Sequence, residues 1–377
     1  NNLCPDMAHT LFVHSFIGII CFGVVYAQEA RLGLMMKTRS MCCKKGQTLL
    51  ASTLLLMSLL QSNLVQGAEQ GVPGNNADLL IVVGAGGEAS YGEMFVEWAT
   101  MLKAVGEEAQ ARVELLGSFE PDSAEGSLKD LLKKKIEVYS KETQEPLWIA
   151  LIGHGTFNGR TAKFNVKGPD ISSEELASWL KPLKRPVAVM NTSSASAPFL
   201  NALSGPNRVV LTATRDGFEL NFARFGSYLV NAFGSESADL DKDGQTSLLE
   251  AFIMASRQVG EFYEIEGRLA SEHALLDDTG DQKGIPANWF KGVRPVKRAE
   301  GSNQPDGRIA SQFHLIENEI ESLMSPEVKQ QRDVLEQAIF ELRDHREDMD
   351  DEAYYKRLEA LLIPFAELYQ SLDTDQA

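Results

Sequence analysis

No cysteine follows Cys43. All four thiols (Cys4, Cys21, Cys42 and Cys43) lie in the amino-terminal part of a chain of 377 residues. The body of the chain therefore holds neither a disulfide framework nor a cysteine nucleophile. Positive charge is also scarce, and the formal charge is -17. The first 67 residues hold five of the 36 basic side chains and two of the 53 acidic ones, leaving 31 against 51 in the rest. Phosphate binding needs clustered Lys and Arg, so an acidic balance of this size argues against nucleic acid as a partner. Acidity on this scale suits a soluble, exported protein that attracts cations. Internal repeats and low-complexity tracts are absent.

The amino-terminal region reads as targeting sequence. Met36–Lys45 (MKTRSMCCKK) is a basic stretch, Leu49–Leu60 (LLASTLLLMSLL) is an apolar core, and small residues follow near Val65–Ala68. That order is the pattern of a signal peptide, with an apolar core too short to span a bilayer. A second apolar run, Leu11–Ala27, sits upstream. Residues 1–34 are expected to be upstream extension, with a true start at Met35 or Met36; the alternative is a membrane anchor at Leu11–Ala27. Residues 1–67 are thus assigned to extension and signal peptide, and 68–76, which include Gly71–Asn76 (GVPGNN), to a linker. The mature chain is expected to be secreted or periplasmic and to carry no stable membrane span.

From residue 77 to 293, buried strands alternate with helices of 10–15 residues, which indicates βαβ units around a parallel sheet with helices on both faces. The expected strands are Leu79–Val83, Val113–Leu116, Trp148–Ile152, Val187–Met190 and Val209–Ala213. Helices are expected over Tyr91–Ala104, Leu128–Tyr139, Phe222–Phe233 and Leu248–Glu266, and after the capping-box signal Ser172-Ser-Glu-Glu175. Residues 294–309 read as a linker and 310–377 as an antiparallel helical hairpin. Within the hairpin, Ser325-Pro326 opens one apolar stripe (Val328, Leu335, Ala338, Ile339, Leu342). A second runs from Tyr354 to Leu372. Packing, or contact with a protein partner, is the expected role of the hairpin.

Two strand ends carry candidate chemistry. Trp148–Gly155 (WIALIGHG) is an apolar run ending in His154-Gly155, and Val187–Ser196 (VAVMNTSSAS) ends in a Thr-Ser-Ser turn. In an open parallel sheet, loops at the carboxyl ends of neighbouring strands share a crevice, so His154 and Ser193 are expected to face each other. This layout resembles the caspase-like fold of the legumain/caspase cysteine peptidases over about residues 77–293. The resemblance implies that His154 matches the catalytic imidazole and Gly155 an oxyanion donor. It also implies that Ser193 occupies the nucleophile position, its N–H being the second oxyanion donor. There the chain departs from the family: a serine hydroxyl is a weak nucleophile unless a base touches it, whereas a thiol supplies some thiolate unaided. The expectation is a degenerate peptidase acting as a binding or scaffolding module for a protein or peptide partner. The alternative is an active hydrolase using Ser193, or the adjacent Ser194, with His154.

A second motif is sharper. Asp239–Glu250 (DLDKDGQTSLLE) matches a twelve-position EF-hand calcium loop. Asp239, Asp241 and Asp243 stand at positions 1, 3 and 5, and Gly244 at 6. Gln245 offers its backbone carbonyl at 7, Ser247 stands at 9 and Glu250 at 12. Ca2+ is the expected cofactor, although the loop lacks a paired second hand. Asp277–Asp281 (DDTGD), preceded by His273, is another acidic turn, expected to be an ordinary loop because no distal carboxylate stands at the right spacing; the alternatives are that it lines the crevice or binds a second cation. Arg215, Asp216 and Glu219 fall where the family builds its substrate pocket, and a surface salt-bridge role is weighed equally. Gly84–Gly87 lacks the full dinucleotide pattern, which argues against nucleotide binding.

Overall fold

The computed structural model describes residues 77–117, 126–141 and 145–374; the signal peptide, the run at Leu11–Ala27 and the 68–76 linker fall outside them. The chain begins with β1 (Asp78–Val83), α1 (Ala89–Glu108), β2 (Arg112–Gly117), α2 (Leu128–Tyr139) and β3 (Leu147–Ile152). Three short strands follow, β4 (Gly155–Phe157), β5 (Ala162–Phe164) and β6 (Ile171–Ser172), then α3 (Ser173–Leu180) and β7 (Val187–Asn191). Next come α4 (Ala197–Leu203), β8 (Arg208–Thr212), α5 (Phe225–Phe233), α6 (Leu248–Ile265) and β9 (Leu275–Asp277). A small ribbon of β10 (Phe290–Lys291) and β11 (Arg294–Pro295) precedes the final pair α7 (Pro326–Asp344) and α8 (Asp351–Thr374).

The main sheet runs β2-β1-β3-β7-β8-β9. Its first five strands are parallel and β9 is antiparallel to β8. The architecture is therefore α/β with a mostly parallel sheet, as the alternation of strands and helices predicts. Because successive strand residues point to opposite faces, each strand feeds two cores. Leu79, Ile81, Val83, Trp148, Ala150 and Ile152 join Phe95, Trp98 and Leu102 of α1 and the apolar faces of α5 and α6. Leu80, Val82, Ile149 and Leu151 meet Leu132 and Ile136 of α2, Leu176 and Leu180 of α3, and Phe199 and Leu203 of α4. Each fully buried side chain of this kind contributes about 1.5–3 kcal/mol relative to exposure.

Local signals explain the helix starts. Ser172 caps α3 with Glu175 in a reciprocal box, and Ser325 caps α7 with proline at its first position. At the amino edge of the sheet, Asp78 pairs with Arg112 Nε at 2.7 Å and with the buried Arg185 Nη2 at 2.7 Å. These two guanidiniums outweigh the effect of burial and hold the Asp78 carboxyl below the usual carboxylate range.

The helical pair starts at Pro326, later than the predicted 310. Residues 310–325 instead form short turns that lie under it, with Ala310, Phe313 and Leu315 in the core beside α6. Arg332 of α7 pairs there with Glu321, which also accepts from the Tyr369 hydroxyl of α8 at 3.4 Å. Within the predicted 294–309 linker, Ala299, Ser302 and Asp306 are buried. No helix among the described residues is long and apolar enough to cross a membrane.

Candidate functional site

Parallel pairing of β3 with β7 brings the His154-Gly155 and Ser193-Ser194 loops to the same carboxyl edge of the sheet. They touch. The Gly155 N–H donates to Ser194 Oγ at 3.3 Å, and Ser194 Oγ donates to the Gly155 carbonyl at 3.1 Å. A Cβ on Gly155 would stand 2.2 Å from the Ser194 carbonyl oxygen and 2.8 Å from Ser193 Oγ. Only glycine permits this approach of the two loops.

Contact between the loops does not bring the imidazole onto the hydroxyl. Ser193 is fully buried, and its Oγ donates to Asn191 Oδ1 at 2.7 Å. The Ser193 N–H donates to the same oxygen at 3.1 Å. His154 Nε2 lies 3.2 Å from the Gly86 carbonyl, so this nitrogen carries the proton and Nδ1 is the one left to accept. The ring sits among Tyr91, Phe95 and Phe222, with centroids 5.1, 5.0 and 6.1 Å away. Burial in that aromatic setting lowers the His154 pKa, and the Gly86 bond offsets part of the effect. Gly84–Gly87, read in the sequence as an incomplete dinucleotide turn, thus supplies the carbonyl that holds the histidine.

Asn191, the residue that occupies the serine, was not singled out from the sequence. Its signal is the Asn-x-Ser spacing, in which an asparagine oxygen closes a turn on backbone two residues ahead.

The loop after β8 is tied down from within. Glu219 accepts from the Arg215 N–H at 3.0 Å and pairs with Arg215 Nε at 3.3 Å. It also meets His273 Nδ1 at 2.5 Å, while Asp216 Oδ1 accepts from the N–H groups of Phe218 and Glu219. These three residues therefore brace the loop, leaving Phe218 and Leu220 exposed. Another buried acid missed in the sequence, Glu272, accepts from the N–H groups of Arg224 and Phe225 at the start of α5 and from the Tyr263 hydroxyl.

The acidic loop between α5 and α6 gathers Asp239, Asp241 and Asp243, one carboxylate oxygen of each within 4.8 Å of the others. Lys242 and Gly244 adopt positive φ (67° and 88°), which curls the loop back on itself. Desolvation in that crowded turn pushes Asp241 up to about 7 and Asp243 up to about 6, neighbouring carboxylates adding to both. Glu250 is buried and accepts from Leu240 N at 2.6 Å, Ser247 N at 2.9 Å and Ser247 Oγ at 2.8 Å. With Ser247 it forms the capping box of α6. Gln245 donates to Asp243 Oδ2 at 3.2 Å and accepts from the Asn318 N–H at 3.2 Å. Where a second EF-hand would pair, Ser247 instead bridges to His314. The three carboxylates offer oxygen donors, the kind a hard divalent cation takes, while the Lys242 ammonium lies on the Asp239 carbonyl in the same turn.

No family model matches the sequence, and no curated protein matches it. The structure is similar to the crystal structure of the Drosophila initiator caspase Dronc, at 18% identity over 57% of this chain and 84% of that chain, with a TM-score of 0.39.

Proposed function

We propose that this chain is an exported, caspase-like domain that does not cut peptides, holds calcium in the Asp239–Glu250 loop, and binds a protein or peptide partner. The observation that carries the loss of catalysis is the state of Ser193. Its hydroxyl is buried and donates to Asn191, so no base receives its proton. Both N–H groups that the family resemblance assigns to the oxyanion are also spent, Gly155 on Ser194 Oγ and Ser193 on Asn191. A developing oxyanion would have to break those bonds, whereas an effective hole keeps its donors aimed and free.

Binding without cleavage is supported by exposed side chains on the loop after β8. Phe218 is 70% exposed and Leu220 54% exposed, and the Phe218 ring stands edge-on to Phe157 at 5.2 Å. Exposed aromatic and aliphatic anchors beside the short strand that follows His154 suit an extended peptide. The test is turnover of a fluorogenic peptide library by the protein and by its Ser193→Ala and His154→Ala variants. Equal background from all three is expected. Cleavage that both substitutions abolish would overturn the reading in favour of a serine hydrolase.

A further inference from the structure

At the opposite edge of the sheet the chain closes a second acidic site. Asp277 pairs with Val210 of β8 in the antiparallel register, which puts the end of β9 near the amino end of β8, away from His154 and Ser193. The turn that follows folds onto the segment before α7. Asp278 accepts from Gly307 N at 2.9 Å and from Ile309 N and Ala310 N, both at 2.8 Å, so its carboxylate is fully used by backbone. This closure delivers Asp306, the distal carboxylate that local sequence spacing lacks. One oxygen each of Asp277, Asp281 and Asp306 lies within 4.8 Å of the other two.

The second observation concerns what these oxygens meet. Asp306 is 0% exposed. Its Oδ1 accepts from the Asp278 N–H at 3.2 Å, while its Oδ2 is buried without a hydrogen-bond partner. Asp281 Oδ2 is buried without a partner as well, its Oδ1 accepting from Lys283 N at 2.9 Å. Asp277 is satisfied on both oxygens by the N–H groups of Thr279, Gly280 and Gln282. No lysine or arginine among the described residues forms an ion pair with any of the four; the Lys283 ammonium is turned to the Glu300 carbonyl. A buried carboxylate oxygen with no donor costs about as much as a lost charged hydrogen bond, and four neighbouring acids compound it. A bound cation removes both penalties.

We infer that Asp277, Asp281 and Asp306 form a site for a hard divalent cation, calcium, which ties the end of β9 to the 299–310 segment and so holds the helical pair to the sheet edge. The donors are all oxygen, which matches calcium and disfavours the thiophilic and imidazole-seeking metals. The site shares no residue with the Asp239–Glu250 loop and stands whether or not that loop binds.

The test is calorimetric titration of the metal-free full-length protein with calcium chloride, alongside Asp306→Asn, Asp281→Asn and the loop double variant Asp239→Asn/Asp241→Asn. The parent is expected to take two ions, each Asp306 or Asp281 variant one, and the loop variant one. Should the loop not bind, the parent and loop variant both take one ion and Asp306→Asn takes none, which leaves this inference standing. Stoichiometry in Asp306→Asn and Asp281→Asn equal to the parent's overturns it. Asp281 is partly exposed, so its variant carries the test if circular dichroism finds Asp306→Asn unfolded.

Discussion

Asn191 accepts twice from Ser193 through one oxygen, from the hydroxyl at 2.7 Å and from the N–H at 3.1 Å. Both residues are completely buried. A side chain so engaged belongs to the framework of the turn, and the proposed loss of catalysis rests on the same two bonds.

Asn191→Ala leaves two buried donors of Ser193 without an acceptor. Each such group costs about 1–3 kcal/mol, so the variant is expected to lose about 2–6 kcal/mol in urea unfolding. A loss under about 0.5 kcal/mol would contradict the structural role given to the pair.

Ser193→Cys restores the atom that the peptidases of this resemblance use, yet it is expected to give no peptide cleavage. The thiol would occupy the same buried place beneath Gly155, with the same Asn191 beside it. Recovered turnover of a fluorogenic peptide would mean that the missing sulfur alone had silenced the site.

Asp78 is paired with Arg112 and with Arg185, itself almost wholly buried. Asp78→Asn keeps the shape and strands the Arg185 charge, with an expected cost of about 3–5 kcal/mol. Because the folded carboxyl titrates below its ordinary value, its contribution is present above the unfolded carboxylate pKa and is lost as pH falls through the folded one. Melting temperatures between pH 7 and pH 2 should therefore fall steeply below about pH 4 in the parent, near the unfolded carboxylate pKa, and less steeply in the variant. Parallel curves would contradict the pairing.

Calcium in the Asp239–Glu250 loop predicts a melting temperature that rises with calcium and falls with chelator. Free calcium at 100 times the dissociation constant stabilises by about 2.7 kcal/mol. The effect should persist in Asp306→Asn and vanish when Asp241→Asn and Asp239→Asn are added. An unchanged midpoint in the Asp306→Asn background would remove the loop as a calcium site.

The central sheet was legible because β1, β3, β7 and β8 are buried on both faces and read as unbroken apolar runs. The helices α2 and α6 and the cap at Ser172 were legible from spacing and capping residues alone. What escaped was short or closed by distant chain. Strands β4 to β6 have two or three residues each, too few for any period, and β9 is three residues ending in the acidic turn. Asp306 meets Asp278 across 28 residues through packing of the 299–310 segment, which no local pattern encodes. At the two strand ends, the identity of His154, Gly155 and Ser193 was visible, but their hydrogen bonds run to Gly86, Ser194 and Asn191. Those bonds depend on backbone approach, which composition does not carry.

The most direct measurement of the central claim is intact-mass analysis after incubation with an alkyl fluorophosphonate, which labels a serine whose hydroxyl is activated by a base. The parent is expected to stay unlabelled, as does Ser193→Ala. Stoichiometric labelling of the parent that Ser193→Ala abolishes would contradict it.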